Sequence, residues 1–279
     1  MSGLSESETH DAFLAACRAE LVALKPGNVH VHAGAHDMEA AQFQASAEAA
    51  APLIARADLS VGERIRSAVD ASLAAAGCNT NLGILLLTGP LATAAQRKAP
   101  TGLRERLAAV LAHLTEADAA AVFAAIRRAS PGGLGGAPDQ DVAAEPTVGL
   151  REAMALAADR DRIARAYVTD FEDVFAFGLP ELERARARAA DADLAVSTLH
   201  MAYLARFPDS HIARKFGTDK AEEVRAEAES HRALWDPVVR RGRFNSLLDF
   251  DADLKRRGLN PGTTADFVVA TLFAAAICG

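Results

Sequence analysis

Aromatic side chains make up only 5% of this 279-residue chain. A core of large rings packed between sheets is therefore not expected. Cysteine is scarce too: Cys17, Cys78 and Cys278 have no metal-ligand spacing, and an odd number leaves one unpaired under any disulfide scheme, so thiols in a reducing compartment are expected. Positive charge is not in excess. With 30 basic against 37 acidic residues the formal charge is −7, which argues against a general nucleic-acid surface while leaving room for a local cluster that holds a phosphorylated small molecule. Long apolar runs are missing as well. Residues 84–87 and 267–278 fall short of the ~20 residues a bilayer span needs and read as buried helix, so no membrane association is expected. The polar, acidic start lacks the basic and apolar segments of a signal peptide, and a cytoplasmic protein is expected. Walker phosphate loop, Rossmann glycine fingerprint, HExxH and Gly-x-Ser-x-Gly are all absent, which sets aside the common nucleotide and hydrolase folds.

Half of the residues are apolar, and they are mostly Ala, Leu, Val and Ile. Closely packed helices follow from that, and strand signals are almost lacking. The fold class expected is all-α: one bundle-like domain over 1–279 with functional loops at helix N-termini. The clearest start is Ser60-Val61-Gly62-Glu63, a capping box leading into Ile65, Val69 and Leu73 and stopping at Gly77. Further helices are expected over 8–22, 38–57, 81–95, 102–114, 116–128, 150–158, 160–177, 179–190, 192–207, 220–239, 243–256 and 263–277. The Gly/Pro-rich stretch 130–147 carries Asp139, Asp141 and Glu145 towards its end. Such a loop is uncommon in a compact domain unless it is functional or links two helical halves. Alanine-rich helices are compatible with a homo-oligomer, and nothing specifies one.

Chemistry concentrates in four places. Lys25-Pro26-Gly27-Asn28-Val29-His30-Val31-His32, followed by His36-Asp37-Met38, combines backbone specials with polar groups, either a solvated turn or a functional loop. A His-Asp metallohydrolase would want such ligands in helix interiors, whereas these follow Pro-Gly in a loop. Gly77-Cys78-Asn79-Thr80-Asn81-Leu82-Gly83 places two amides and a hydroxyl at a helix entry, a cap or an anion site. Pro208-Asp209-Ser210-His211-Ile212-Ala213-Arg214-Lys215-Phe216-Gly217 puts His211 and Lys215 on one helix face beside Arg214, a face suited to a triphosphate. Asn260-Pro261-Gly262-Thr263-Thr264-Ala265-Asp266 repeats turn, cap and acid before an apolar run, and a first-turn carboxylate is favoured there in any case. Arg160-Asp161 and 169–173 read by default as a charged helix face.

Taken in order, these motifs, with Asp37-Met38, Phe43 and Ser46 between the first two, resemble the triphosphoribosyl-dephospho-CoA synthase family over nearly the whole chain. The chain departs from the family pattern at Asn28 and His30, where the family has Leu and Asp, and at Asn81-Leu82, where it has His-Lys. The resemblance is thus to a divergent branch with an acceptor that these departures leave open. It implies an all-α fold and transfer of the ribose of ATP, triphosphate attached, to a hydroxyl of 3′-dephospho-CoA or a related acceptor, with loss of adenine. The expected catalytic residues are Asp37, Asp209, His211 and Asp266. Those expected to bind the nucleotide are Lys25, Gly27, Asn28, His30, Asn79, Thr80, Asn81, Ser210, Arg214, Lys215 and Thr264. Mg²⁺ is expected with ATP, on one or two of Asp37, Asp209 and Asp266, while Asp139 and Asp141 also compete as the base. The alternatives are Mg²⁺-dependent phosphoryl transfer or nucleotide hydrolysis in a cofactor pathway such as one-carbon metabolism, and a non-catalytic helical binding protein.

Overall fold

A computed structural model describes residues 3–32, 39–131, 141–236 and 241–278. Among these residues fifteen α-helices and one π-helical turn are found, and no strand, as expected from the composition. The helices are α1 (Glu6–Val22), α2 (Ala40–Ile54), α3 (Val61–Ala76), α4 (Leu82–Gln96), α5 (Leu103–Ala112), α6 (Glu116–Ala129), α7 (Leu150–Ala155), α8 (Arg162–Val168), α9 (Leu179–Arg188), α10 (Ala192–Arg206), α11 (Ser210–Phe216), α12 (Thr218–Ser230), α13 (Arg232–Trp235), α14 (Arg241–Arg256) and α15 (Gly262–Ile277).

Local signals explain most of the boundaries. Reciprocal capping boxes start α1 (Ser5 with Glu8), α3 (Ser60 with Glu63) and α6 (Thr115 with Asp118), each satisfying two otherwise orphaned donors. Gly77 ends α3 in the left-handed region at φ 74°. Two expected helices are broken. Over 160–177 the chain leaves α8 through Asp170 and Phe171, both at positive φ, and re-enters as a π-helical turn, Asp173–Gly178. The break buries Phe171 completely and lets Arg151 bond Asp170 and Arg162 bond Asp173, tertiary contacts that outweigh helical continuity. Over 220–239 the helix breaks at His231, whose Nδ1 turns back to the Glu227 carbonyl at 2.7 Å; residues 237–239 of that expectation lie outside the described residues.

α4 and α15, apolar on nearly every side, pack against each other at the centre, with α1 and α10 also against α15. Pro90 within α4 has no N–H for the Leu86 carbonyl one turn back, and the buried Tyr167 hydroxyl donates to that carbonyl instead at 2.7 Å. A second apolar cluster, built around Leu204, Ile212, Trp235 and Leu254, seats α10 to α14. Among the described residues no single helix is long and apolar enough to cross a membrane. Cys17, Cys78 and Cys278 are free thiols.

Candidate active site

The N-terminal ends of α4, α8, α11 and α15 converge on one cavity of about 1170 Å³, closed on another side by Glu20 of α1, Asn28 and Phe43. The same polar residues that start these helices shape its wall. Asn79 Oδ1 accepts the Leu82 N–H at 3.2 Å to begin α4, and Thr80 donates to Ser46 on α2 at 2.5 Å. Asp161 Oδ1 accepts the N–H groups of Ile163 and Ala164, while its other oxygen binds Arg214 at 2.6 Å. Asp209 is a double cap: Oδ1 takes His211 and Ile212 N–H at 2.8 and 3.1 Å, and Oδ2 takes the N–H and hydroxyl of Thr264 at 2.7 and 2.8 Å. One carboxylate therefore clamps the starts of α11 and α15 together. Ser210, buried between them, accepts the Arg162 N–H at 2.9 Å.

The cavity is lined by charges of both signs. Arg214 and the exposed Lys215 of α11 line it with Arg162, whose guanidinium lies 3.8 Å over the Phe207 ring. Among the carboxyl groups of its lining are one on α1 and one on α15. Glu20, 4% exposed, pairs with the buried Lys25 ammonium. Asp266 has neither cation nor hydrogen-bond donor on its carboxyl among the described residues, and lies against the first turn of α4, where Gly83 has no side chain to oppose it. Burial, together with the like charges of Asp209, Glu20 and Asp161, raises the Asp266 pKa well above the ordinary carboxylate range; Arg214 only opposes this. Glu20 is also raised by burial, with Lys25 pulling the other way. Apolar side chains form part of the remaining wall, Ile84 and Leu86 of α4, Phe123 and Ile126 of α6 and Met154 of α7, beside the charged Asp159, Arg160, Asp219 and Glu222.

Of the residues expected to act here, Asn28, Asn79, Thr80, Ser210, His211, Arg214, Lys215 and Asp266 line the cavity. Six others do not, and each has a structural employment. Lys25 is held by Glu20, by Asn28 Oδ1 at 3.2 Å and by the Val29 carbonyl at 2.7 Å, so it does not reach out to a phosphate. Gly27, at φ 82°, is where the chain passes Pro261 and Leu259 too closely for a Cβ, and its N–H bonds Asp251 at 2.9 Å. His30 is buried between Asp251 and Lys255, and burial lowers its pKa. Asn81 turns away to Ser72 at 2.9 Å. Asp209 and Thr264 are occupied with each other, which leaves Asp209 no free lone pair directed at a metal. Asp37 and Asp139 lie outside the described residues, whereas Asp141 borders the cavity with Ser130 and Pro131, so the ends of the 130–147 stretch reach its rim. Among the described residues no three His, Cys, Asp or Glu side chains are grouped to hold a metal; Asp37, one of the expected ligands, lies outside those residues.

Sequence reasoning missed Glu20, read as part of an ordinary helix; its signal was an acid in the last turn of α1, five residues before a lysine. Asp161 was taken for part of a charged surface, but it caps α8 and holds Arg214. Asn260, a turn residue by sequence, accepts from the Asn28 amide at 2.7 Å, joining the first motif to the last.

Residues 6–279 match the family model described as CitG, ATP:dephospho-CoA triphosphoribosyl transferase. A curated relative from Escherichia fergusonii, a 2-(5''-triphosphoribosyl)-3'-dephosphocoenzyme-A synthase, is 31% identical over 104 residues, 37% of this chain. That match spans only 34% of the relative's length. A crystal structure from Archaeoglobus fulgidus, of a protein proposed to be a triphosphoribosyl-dephospho-CoA synthase, superposes with a TM-score of 0.65 at 25% identity, covering 84% of this chain and 98% of that one. With its helical fold, its converging motifs and a family match across nearly its full length, the chain belongs to the ATP:dephospho-CoA triphosphoribosyl transferase family.

Proposed function

We propose that this chain, acting as one all-helical cytoplasmic domain, transfers the triphosphoribosyl group of ATP to a hydroxyl of 3′-dephospho-CoA or a related acceptor and releases adenine. The observation that carries the reading is a single cavity lined both by cations, Arg214 and Lys215, and by the carboxyl groups of Glu20 and Asp266. Transfer at the anomeric carbon needs both: cations for the phosphates, and carboxyl groups beside a ribose that turns positive as its base departs. A volume of about 1170 Å³ exceeds what one small ligand fills, as a two-substrate reaction requires. Family membership supports the same chemistry.

Asp266, kept protonated by its surroundings, donates to the leaving adenine. Arg214, aligned by Asp161, and Lys215 bind the triphosphate. His211 borders the same cavity, and Asn79 and Thr80 form its α4 side. Mg²⁺ brought by ATP would shield the triphosphate charge beside Arg214 and Lys215.

The test is chromatography of the products from ATP, Mg²⁺ and 3′-dephospho-CoA. Adenine together with the triphosphoribosyl adduct is the expected result. ADP or AMP without adenine would replace the reading by phosphoryl transfer, and adenine formed only with another alcohol would change the acceptor. Arg214→Ala is expected to raise the KM for ATP by about 10- to 100-fold, the worth of a charge-assisted hydrogen bond.

A further inference from the structure

We infer that Glu20 is the general base that accepts the acceptor's hydroxyl proton, and that Lys25 is its positioning residue. The inference rests on the triphosphoribosyl-transfer reading. Glu20 projects from the last turn of α1 into the cavity wall next to Asn28, and one of its oxygens is taken by Lys25. Among the described residues only Oε1 of Glu20 is engaged by a hydrogen bond, and Glu20 lines the cavity. Lys25 is fixed from three sides, by Glu20, Asn28 and the Val29 carbonyl, so the carboxylate is held at one place rather than swinging. Asn28 is itself anchored to Asn260 in the loop that leads into α15, the helix that carries Asp266. Glu20 and Asp266 are thereby tied to each other through the first and last motifs.

Their surroundings divide the labour. Glu20 has the Lys25 cation bonded to it, whereas Asp266 faces the negative charges of Asp209, Glu20 and Asp161, with Arg214 and the Lys25 bonded elsewhere opposing them. Like charges therefore favour the protonated form of Asp266, while Lys25 favours the charged form of Glu20. In the transfer, the acceptor oxygen bonds to C1′ of the ribose while its O–H proton passes to Glu20. The bond from C1′ to adenine breaks with its electron pair leaving on adenine, which takes the Asp266 proton. Passage of the proton from Glu20 to Asp266 restores the starting state, and the net reaction moves one proton from the acceptor hydroxyl to adenine.

The full-length protein tests this through Glu20→Gln, Lys25→Met, Glu20→Gln with Lys25→Met, and Glu20→Asp. Removing the base should lower kcat for adenine release by about 10²- to 10⁴-fold in Glu20→Gln and in the double variant, with the ATP dissociation constant within about threefold of the parent. The double variant removes both members of the pair and so leaves no buried charge unmatched. Glu20→Asp preserves the ion pair and withdraws the carboxylate from the reacting oxygen, which should lower kcat by about 10²-fold. Lys25→Met should move the acid limb of the kcat profile to higher pH, because the other charged and titratable groups facing Glu20, Cys17 and Asp266, supply no cation. A folded double variant, or Glu20→Asp, with kcat within about threefold of the parent would overturn the base assignment while leaving the transfer reading intact. A parent protein that releases no adenine with any acceptor would overturn the transfer reading, and this inference with it.

Discussion

Gly83→Ala isolates the role of Asp266 without touching its chemistry. Gly83 lies in the first turn of α4, and a Cβ there would stand 2.0 Å from Asp266 Oδ2, 2.4 Å from its Cγ and 2.9 Å from Oδ1. Non-bonded carbon contacts relax only near ~3.5 Å, so the carboxyl must move by roughly 1.5 Å. The group in the way is the end of a side chain, not backbone, and it moves by rotation at a cost of about 0.5–1.5 kcal/mol. Against that, alanine is favoured over glycine in a helix by up to about 1 kcal/mol. The two nearly cancel, so thermal unfolding should shift by no more than about 4 °C. Activity should not be spared, since a misplacement of this size at a reacting group costs about 10²-fold in kcat. The assay is adenine release beside thermal unfolding, for Gly83→Ala, Asp266→Asn and the pair combined. If displacement of Asp266 is the whole effect, the double variant should be no slower than Asp266→Asn alone, a strongly non-additive cycle. A Gly83→Ala protein that keeps kcat within about threefold would refute the placement of Asp266 as proton donor.

Asp266→Asn should lower kcat by about 10²- to 10⁴-fold yet stabilise the fold above mildly acidic pH. The native carboxyl binds its proton more tightly than the unfolded one, so stability falls as pH rises past the ordinary value of 3.8, and the variant should flatten that decline in urea titrations at a series of pH values. His200 acts in the opposite sense. Burial, with Lys25 next in weight, pushes its pKa from 6.5 down to about 3, so the native state excludes a proton that the unfolded state accepts. Stability is then lost as pH falls from about 6.5 towards 3, and His200→Gln should reduce that acid sensitivity in the same titrations. Asp209→Ala would strip the buried N–H groups of His211, Ile212 and Thr264 of their common acceptor. It should cost about 3–5 kcal/mol in urea unfolding, and a loss below about 1 kcal/mol would return Asp209 to consideration as a catalytic group.

Much of this protein was determined locally and was legible in the chain. An all-helical fold followed from small aliphatic residues at helical spacing. The start and end of α3 followed from Ser60, Glu63 and Gly77, because capping involves groups three or four residues apart. The motifs themselves were legible, and eight of their residues do meet at one cavity. What each polar group does there was decided by tertiary structure. Asp209 has the appearance of a metal ligand until Thr264, from 55 residues away, takes its second oxygen. Lys25 has the appearance of a phosphate binder until α1 and the Asn28 turn enclose its ammonium. Glu20 is one helix acid among several until the fold buries it beside Lys25 and Asn28, the latter bonded to Asn260 across 232 residues of sequence. Propensity and capping act over one turn of chain and survive in the sequence. Whether a donor or an acceptor is left free for a ligand depends on partners that only packing brings into reach, and packing here spent Asp209 and Lys25 on the scaffold and left Asp266 open to the cavity.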